Sequence, residues 1–228
     1  MFHDDERPTY RDGKRPAVIL DAVEKVLVKK YGRDKVKRQR RSVSVQFPTD
    51  PNDPEQVMSF DVVPAFEKGD HFEIPDEQAK AGWTQTDPTI HADKATAAHA
   101  AYGNEWKGMV RMIKRWNREK NKPVKPSFLL EVMALDILLP PWNGEYPYEF
   151  MSFFSTAADR IFEEWPDPAG LGTPVSDGMT EAEKNAARVA LRKAADDVRV
   201  AINLSAGGQN GEALRKFQEL FGPLFSMT

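Results

Sequence analysis

The sequence has no cysteine among its 228 residues. That excludes disulfide staples, thiolate-held zinc and a thiol nucleophile, and it fits a reducing compartment. Histidine is scarce as well: the four present, His3, His71, His91 and His99, show no metal-binding spacing with other ligands. An excess of positive charge is also missing, since 32 Lys and Arg face 35 Asp and Glu for a formal net charge of −3. Such a chain does not attract nucleic acid as a whole, so any basic site must be local. No apolar run approaches the length of a membrane span. The start, from Met1 to Arg7, is polar and acidic, unlike a signal peptide. No glycine-rich phosphate loop of the P-loop kind occurs. These absences point to a cytoplasmic protein with no membrane partner.

What is present is ordinary for a globular chain. Hydrophobic residues make up 40% and charged residues 29%, enough for one large domain or two small ones. Ile19, Ala22, Val23, Val26 and Leu27 recur at helical spacing, with Pro16 suited to open that helix and Gly32 to stop it. Val43, Val45 and Phe47 alternate as in a strand, and Val57 to Val63 reads as its hairpin partner across the turn-rich stretch from Pro48 to Glu55. Residues 67–88 look irregular. Asp93 is placed to cap one long helix reaching Lys120, with Ala98, Ala101, Trp106, Met109, Val110, Ile113 and Trp116 inward. Ser127 is placed to cap a helix from Phe128 to Leu139 that is apolar nearly all round and therefore central. Another helix follows from Glu149 to Trp165. Thr180 with Glu183 forms a capping-box signature for a helix to about Leu204, and a last helix runs from Glu212 to Phe221. The order is some α/β followed by helices alone, which predicts an α+β fold with residues 1–92 and 93–228 as its two parts.

Three segments could carry chemistry. Ser59-Phe60-Asp61-Val62-Val63-Pro64 sets one carboxylate in an apolar, strand-like run. Buried there, it would need a metal ion or another partner for its charge; on an edge strand it would simply face water. Val110 to Trp116 puts Lys114 and Arg118 on one helical face with Arg111 beside them. Lys125-Pro126-Ser127 brings a hydroxyl to a helix start, where free N–H groups and the positive end of the dipole suit a phosphate. The plain alternatives are a solvated helix face and a simple cap.

Taken in order, these segments resemble the CD-NTases, the bacterial oligonucleotide cyclases of the polymerase-β-like nucleotidyltransferase superfamily. These are related to cyclic GMP-AMP synthase and oligoadenylate synthase. Phe60 to Ala65 is similar to the family's third-carboxylate strand. Val110 to Trp116 is similar to its Lys-x-Trp helix, with arginine in the middle position. Ser127 to Glu131 is similar to its Ser-aromatic-x-Leu-Glu helix start. Thr86-Asp87-Pro88 with His91, Asp167-Pro168 and Phe221-Gly222-Pro223-Leu224-Phe225 are similar to further segments. The resemblance implies a partial polymerase-β-like sheet followed by a mainly helical C-terminal subdomain.

The resemblance also implies an activity, the making of a cyclic or linear oligonucleotide second messenger, in antiviral signalling, from nucleoside triphosphates such as ATP or GTP. Three carboxylates would hold two Mg²⁺ ions, with Mn²⁺ as an alternative. Asp61 would be the third carboxylate, a metal ligand that helps to deprotonate the attacking ribose hydroxyl. Lys114 and Ser127 would hold the donor triphosphate. A regulatory protein is a further partner of the kind such an enzyme takes.

One departure matters. The family's Gly-Ser turn and Asp-x-Asp strand precede the helix read here at Ala17 to Tyr31, and this sequence contains neither. His3-Asp4-Asp5 is no substitute, because adjacent strand residues point to opposite faces. The expectation is a start placed too far downstream or a truncated relative, inactive alone. Two other readings stand beside this one: a non-catalytic nucleotide-binding or interaction module, and a nucleotidyltransferase acting on tRNA or protein. The last rests on the basic stretch from Lys29 to Arg41, for which a solvated helix end is favoured over RNA contact. The tryptophans read as core, apart from Trp83, a candidate for contacting a base.

Overall fold

The computed structural model describes residues 6–50, 53–223 and 225. Asp4, Asp5 and Leu224, named above, lie outside them. The architecture is α+β, in two compact units, Met1–Asp87 and Pro88–Thr228.

The first unit holds α1 (Arg7–Tyr10), α2 (Pro16–Tyr31), β1 (Val36–Arg38), β2 (Val43–Asp50), β3 (Asp53–Val62), β4 (Phe66–Lys68), β5 (His71–Pro75) and β6 (Trp83–Thr86). Proline at the first turn and Gly32 at φ 92° bound α2 where the sequence predicts. Two antiparallel sheets form, ordered β1-β2-β3 and β4-β5-β6. The apolar side of α2 is buried through Ile19 and Leu20 against Val36, Val43, Val45 and Phe66. The hairpin is tighter than its composition suggests: β2 runs to Asp50 and β3 starts at Asp53. Strand β1 flanks only Val43–Val45, so the far end of β2 tolerates Pro48 as an edge would, with a register shift between Pro48 and Asp50.

The irregular reading of residues 67–88 is corrected, because they build the second sheet. Its strands are only three to five residues long, and a carboxylate occupies a buried position where the alternation would place an apolar residue. That carboxylate is Glu73, whose side chain is 5% exposed. It accepts hydrogen bonds from Arg11 Nε at 2.9 Å, Lys68 Nζ at 2.5 Å and Arg7 Nη2 at 3.3 Å. Burial alone would raise its pKa; the bonds from Arg11 and Lys68 outweigh burial and bring it to about 2. The group is depressed in the folded state, so its contribution to stability is full above its ordinary value of 4.5 and is lost as pH falls toward 2. The melting midpoint of the first unit is therefore expected to drop between those pH values. The Glu73→Gln chain, less stable at neutral pH, should lose less over the same interval; parallel slopes would contradict this role for Glu73.

The second unit is helical: α3 (Pro88–Ala101), α4 (Trp106–Glu119), α5 (Phe128–Ile137), α6 (Tyr146–Arg160), α7 (Glu181–Ala206) and α8 (Asn210–Phe221). The single helix expected from Asp93 to Lys120 is two helices. Gly103 at φ 61° and Asn104 at φ 65° take the left-handed conformation that ends α3, and Pro88 rather than Asp93 starts it. Trp106, Met109, Val110, Ile113 and Trp116 face the core as predicted. Tyr102, in the break, is fully buried beside them, whereas Ala101 is exposed. The capping box of Thr180 and Glu183 forms as read: Glu183 N–H donates to Thr180 Oγ1 at 3.3 Å, and Thr180 N–H donates to Glu183 Oε2 at 2.9 Å. Among the described residues no helix is long and apolar enough to cross a membrane.

Candidate functional site

In the first unit the hairpin register fixes what surrounds Asp61. Lys37 pairs with Ser44 and Ser44 pairs with Asp61, so one cross-strand row carries an amine, a hydroxyl and a carboxylate. Ser59 and Gln46 extend that polar face, two residues along on each strand. Val36, Val45 and Phe60 form the neighbouring row on the opposite face, toward α2. The hydroxyl of Ser44 is buried without a hydrogen-bond partner among the described residues.

Asp61 itself is exposed, so of the two alternatives left by the sequence it is the carboxylate of an edge strand that faces water. β3 is the edge of its sheet, and Met58 and Phe60 on it are 53% and 52% exposed. Asp61 therefore has no burial cost that requires a metal. What remains in its favour is its place on the polar face. A carboxylate oxygen is the right donor for Mg²⁺, yet among the described residues no three His, Cys, Asp or Glu groups converge to hold an ion.

Lys114 and Ser127, in the second unit, are brought together. Both line a cavity of about 570 Å³ with Arg111, Arg115, Arg118, Lys122 and Lys125, a volume usual for small-molecule sites. Six cations and no carboxylate line it, in a chain whose net charge is −3. Helix α4 supplies four of the six because Arg111, Lys114, Arg115 and Arg118 recur at helical spacing opposite the Trp106–Trp116 stripe. Lys114 Nζ is hydrogen-bonded to Glu131 on the first turn of α5. Arg115 is paired with Glu119 at 2.8 Å and donates from Nε to the Phe221 carbonyl at 3.1 Å. Arg111, Arg118, Lys122 and Lys125 are exposed and make no ion pair among the described residues. The Ser127 side chain does not cap α5, so its hydroxyl stays available at the helix start. The cavity can do one thing well, which is to hold a polyanion at the N-terminus of a helix.

Two of the other resembling segments meet within the second unit. His91 Nε2 lies 2.9 Å from Asp167 Oδ1, and the His91 ring packs on Phe128 at 5.0 Å. Gly222 at φ 85° passes so close to Glu119 that a Cβ there would fall 2.5 Å from its carboxylate. A side chain at that position would push Glu119 away from Arg115. Reasoning from sequence missed Lys122, Lys125 and the Lys114–Glu131 pair. Lys125 was legible by its adjacency to Ser127; Lys122 was not, because it lies past the end of α4.

Features set aside earlier have structural partners. Arg40 and Arg41 both bond the carboxylate of Asp76, which is 1% exposed, and Arg38 bonds Asp21 and Glu77. Arg33 pairs with Glu24 as well, so four cations of the basic stretch are engaged within the first unit. Trp83 lies under the Arg11 guanidinium at 4.8 Å and against Phe66, which makes it packing rather than a platform for a base.

Residues 8–98 match the family model of the Second Messenger Oligonucleotide or Dinucleotide Synthetase domain. A probable cyclic nucleotide synthase of Bacillus cereus is 28% identical over 73% of this chain and 51% of its own length. A cyclic AMP-AMP-AMP synthase of an Acinetobacter strain is 24% identical over 92% of this chain and 60% of its own. The chain thus spans only about half to three fifths of these relatives. Among solved structures, the Vibrio cholerae di-nucleotide cyclase DncV, in complex with ATP and GTP, is similar over 92% of this chain and 59% of its own, with TM-score 0.72 at 14% identity. That likeness shows the fold. The resemblance to the CD-NTases read from the sequence is borne out.

Proposed function

We propose, for a chain similar throughout to cyclic nucleotide synthases, that its second unit binds the triphosphate of a nucleotide donor. The protein would use that triphosphate to make a cyclic or linear oligonucleotide second messenger in the cytoplasm, in antiviral signalling. The observation that carries the reading is the cavity of six cations around Lys114 and Ser127. In this reading Lys114 Nζ and the Ser127 hydroxyl contact the phosphates. Glu131 holds Lys114 in place until the ligand arrives. Arg111, Arg118, Lys122 and Lys125 add charge without an ion pair among the described residues.

Asp61 is proposed as one ligand of the divalent ions, Mg²⁺ or Mn²⁺, that in this kind of transfer neutralise charge as a ribose hydroxyl displaces pyrophosphate. The described residues supply that one carboxylate and no cluster. The same observation favours a second reading, a nucleotide-binding module without catalysis, which would bind triphosphate independently of Mg²⁺.

Calorimetry with ATP and with inorganic tripolyphosphate tests the proposal. Lys114→Ala is expected to weaken both about tenfold or more, because a hydrogen bond to a charged group contributes about 1.5–3 kcal/mol. Ser127→Ala should have a smaller effect of the same sign. Equal affinities for the unmodified and Lys114→Ala chains would overturn the assignment.

A further inference from the structure

We infer that Asn117 is a positioning residue for the triphosphate contacts, acting through the loop that joins α4 to Ser127. The inference rests on the reading above. Asn117 is 1% exposed and lies between Lys114 and Arg118 on α4. Its side chain makes two bonds to the backbone of one residue: Nδ2 donates to the Val124 carbonyl at 2.9 Å, and Oδ1 accepts from the Val124 N–H at 3.0 Å. A primary amide matches a backbone N–H and C=O pair in both polarity and spacing, which fixes orientation as well as distance.

The chain bends around this residue. Lys122 N–H donates to the Asn117 carbonyl at 2.7 Å, and Asn121 and Lys122 take φ values of 60° and 55° to make the turn. Lys122, Lys125 and Ser127, all in the cavity lining, therefore leave α4 along a path that Asn117 defines. The far side of the loop is held by packing. Lys125 N–H points to Met179 Sδ at 3.5 Å, and a Cβ on Gly178 would fall 3.0 Å from Pro126 Cδ. The consequence is a fixed spacing between the cations of α4 and the Ser127 hydroxyl. Asn117 itself borders the cavity, but its amide oxygen and nitrogen are both engaged by Val124, so its part is to set where the ligand's partners stand.

Asn117→Asp is the isosteric test. An ionised carboxylate keeps the acceptor but loses the donor, leaving the Val124 carbonyl facing negative charge. In the full chain at pH 8, tripolyphosphate binding is expected to weaken about tenfold. Amide exchange should quicken at Val124 and Lys125 while the centres of α4 and α5 stay protected. If Asn117 acts through the loop, adding Ser127→Ala to Asn117→Asp should cost little more than the larger single change, since residues that work as one unit do not combine additively. Unchanged affinity for Asn117→Asp, or effects that multiply, would overturn the inference. Should the variant fail to fold, Gly178→Ala moves the same loop from its far side: weaker binding supports the inference, and unchanged binding overturns it. Binding that Lys114→Ala weakens but Asn117→Asp does not touch would end this inference alone. No binding by the unmodified chain would end both it and the function proposed above.

Discussion

In the protein as cells make it, Asp61→Asn is expected to lower synthesis of oligonucleotide product at least about a hundredfold, since metal-borne stabilisation of transition-state charge amounts to several kcal/mol. Two things should not change. The melting midpoint should hold, because Asp61 is exposed on an edge strand and no ion pair of the described residues includes it. Tripolyphosphate affinity should hold too, because the cationic cavity belongs to the second unit. The change keeps the size of the side chain and removes one anionic oxygen donor, so it separates metal binding from packing. Rate measurements across Mg²⁺ concentrations would add a signature, a residual activity that needs more metal. Turnover within a few-fold of the unmodified protein would contradict the proposed role of Asp61 as a metal ligand and leave its row with Lys37 and Ser44 as surface.

The second large effect is on stability. Trp116→Ala should cost about 3–5 kcal/mol, the range for deleting a buried large aromatic, against a total of about 5–15 kcal/mol for a typical domain. Trp116 is 1% exposed and packs on Phe154 at 4.8 Å between ring centroids. It stands on the inner side of the helix whose outer side carries Arg111, Lys114, Arg115 and Arg118. Removing it should unfold the second unit at lower denaturant and lower triphosphate binding only through that loss. Val189→Ala, on a side chain 68% exposed, should leave the midpoint where it is. Denaturant midpoints for the three chains decide the matter; a Trp116→Ala midpoint equal to that of the unmodified chain would show that the core is not built around this residue.

Much of this was legible in the sequence, for physical reasons that differ by element. The stripe of Trp106, Met109, Val110, Ile113 and Trp116 has helical periodicity because one face is buried and the other is wet, and that pattern survives in sequence. The capping box of Thr180 and Glu183 is local chemistry and reads directly. The hairpin of β2 and β3 followed from alternation, but the register that pairs Ser44 with Asp61 did not. The second sheet was hidden because Glu73 stands at a buried position, which is acceptable only once Arg7, Arg11 and Lys68 have converged on it from distant parts of the chain. The break between α3 and α4 was signalled by Gly103 and Asn104, but the apolar spacing continues across it and masks the stop.

The site divides the same way. Lys114 and Ser127 were found by resemblance, and their shared cavity is a tertiary fact that neither motif states alone. Asn117 could not be singled out, because its value lies in two bonds to Val124 that exist only when the loop has closed. The exposure of Asp61 was one of two alternatives, and sequence could not choose between them, since whether an apolar strand is central or at an edge depends on what pairs with it.

The most direct test of the central claim is a product assay. The protein purified at its native length is incubated with α-labelled nucleoside triphosphates and Mg²⁺, then treated with phosphatase and resolved chromatographically. A phosphatase-resistant oligonucleotide that disappears with Lys114→Ala is the result this account predicts. Tight, Mg²⁺-independent triphosphate binding with no product from any nucleotide combination would contradict it and make the chain a binding module.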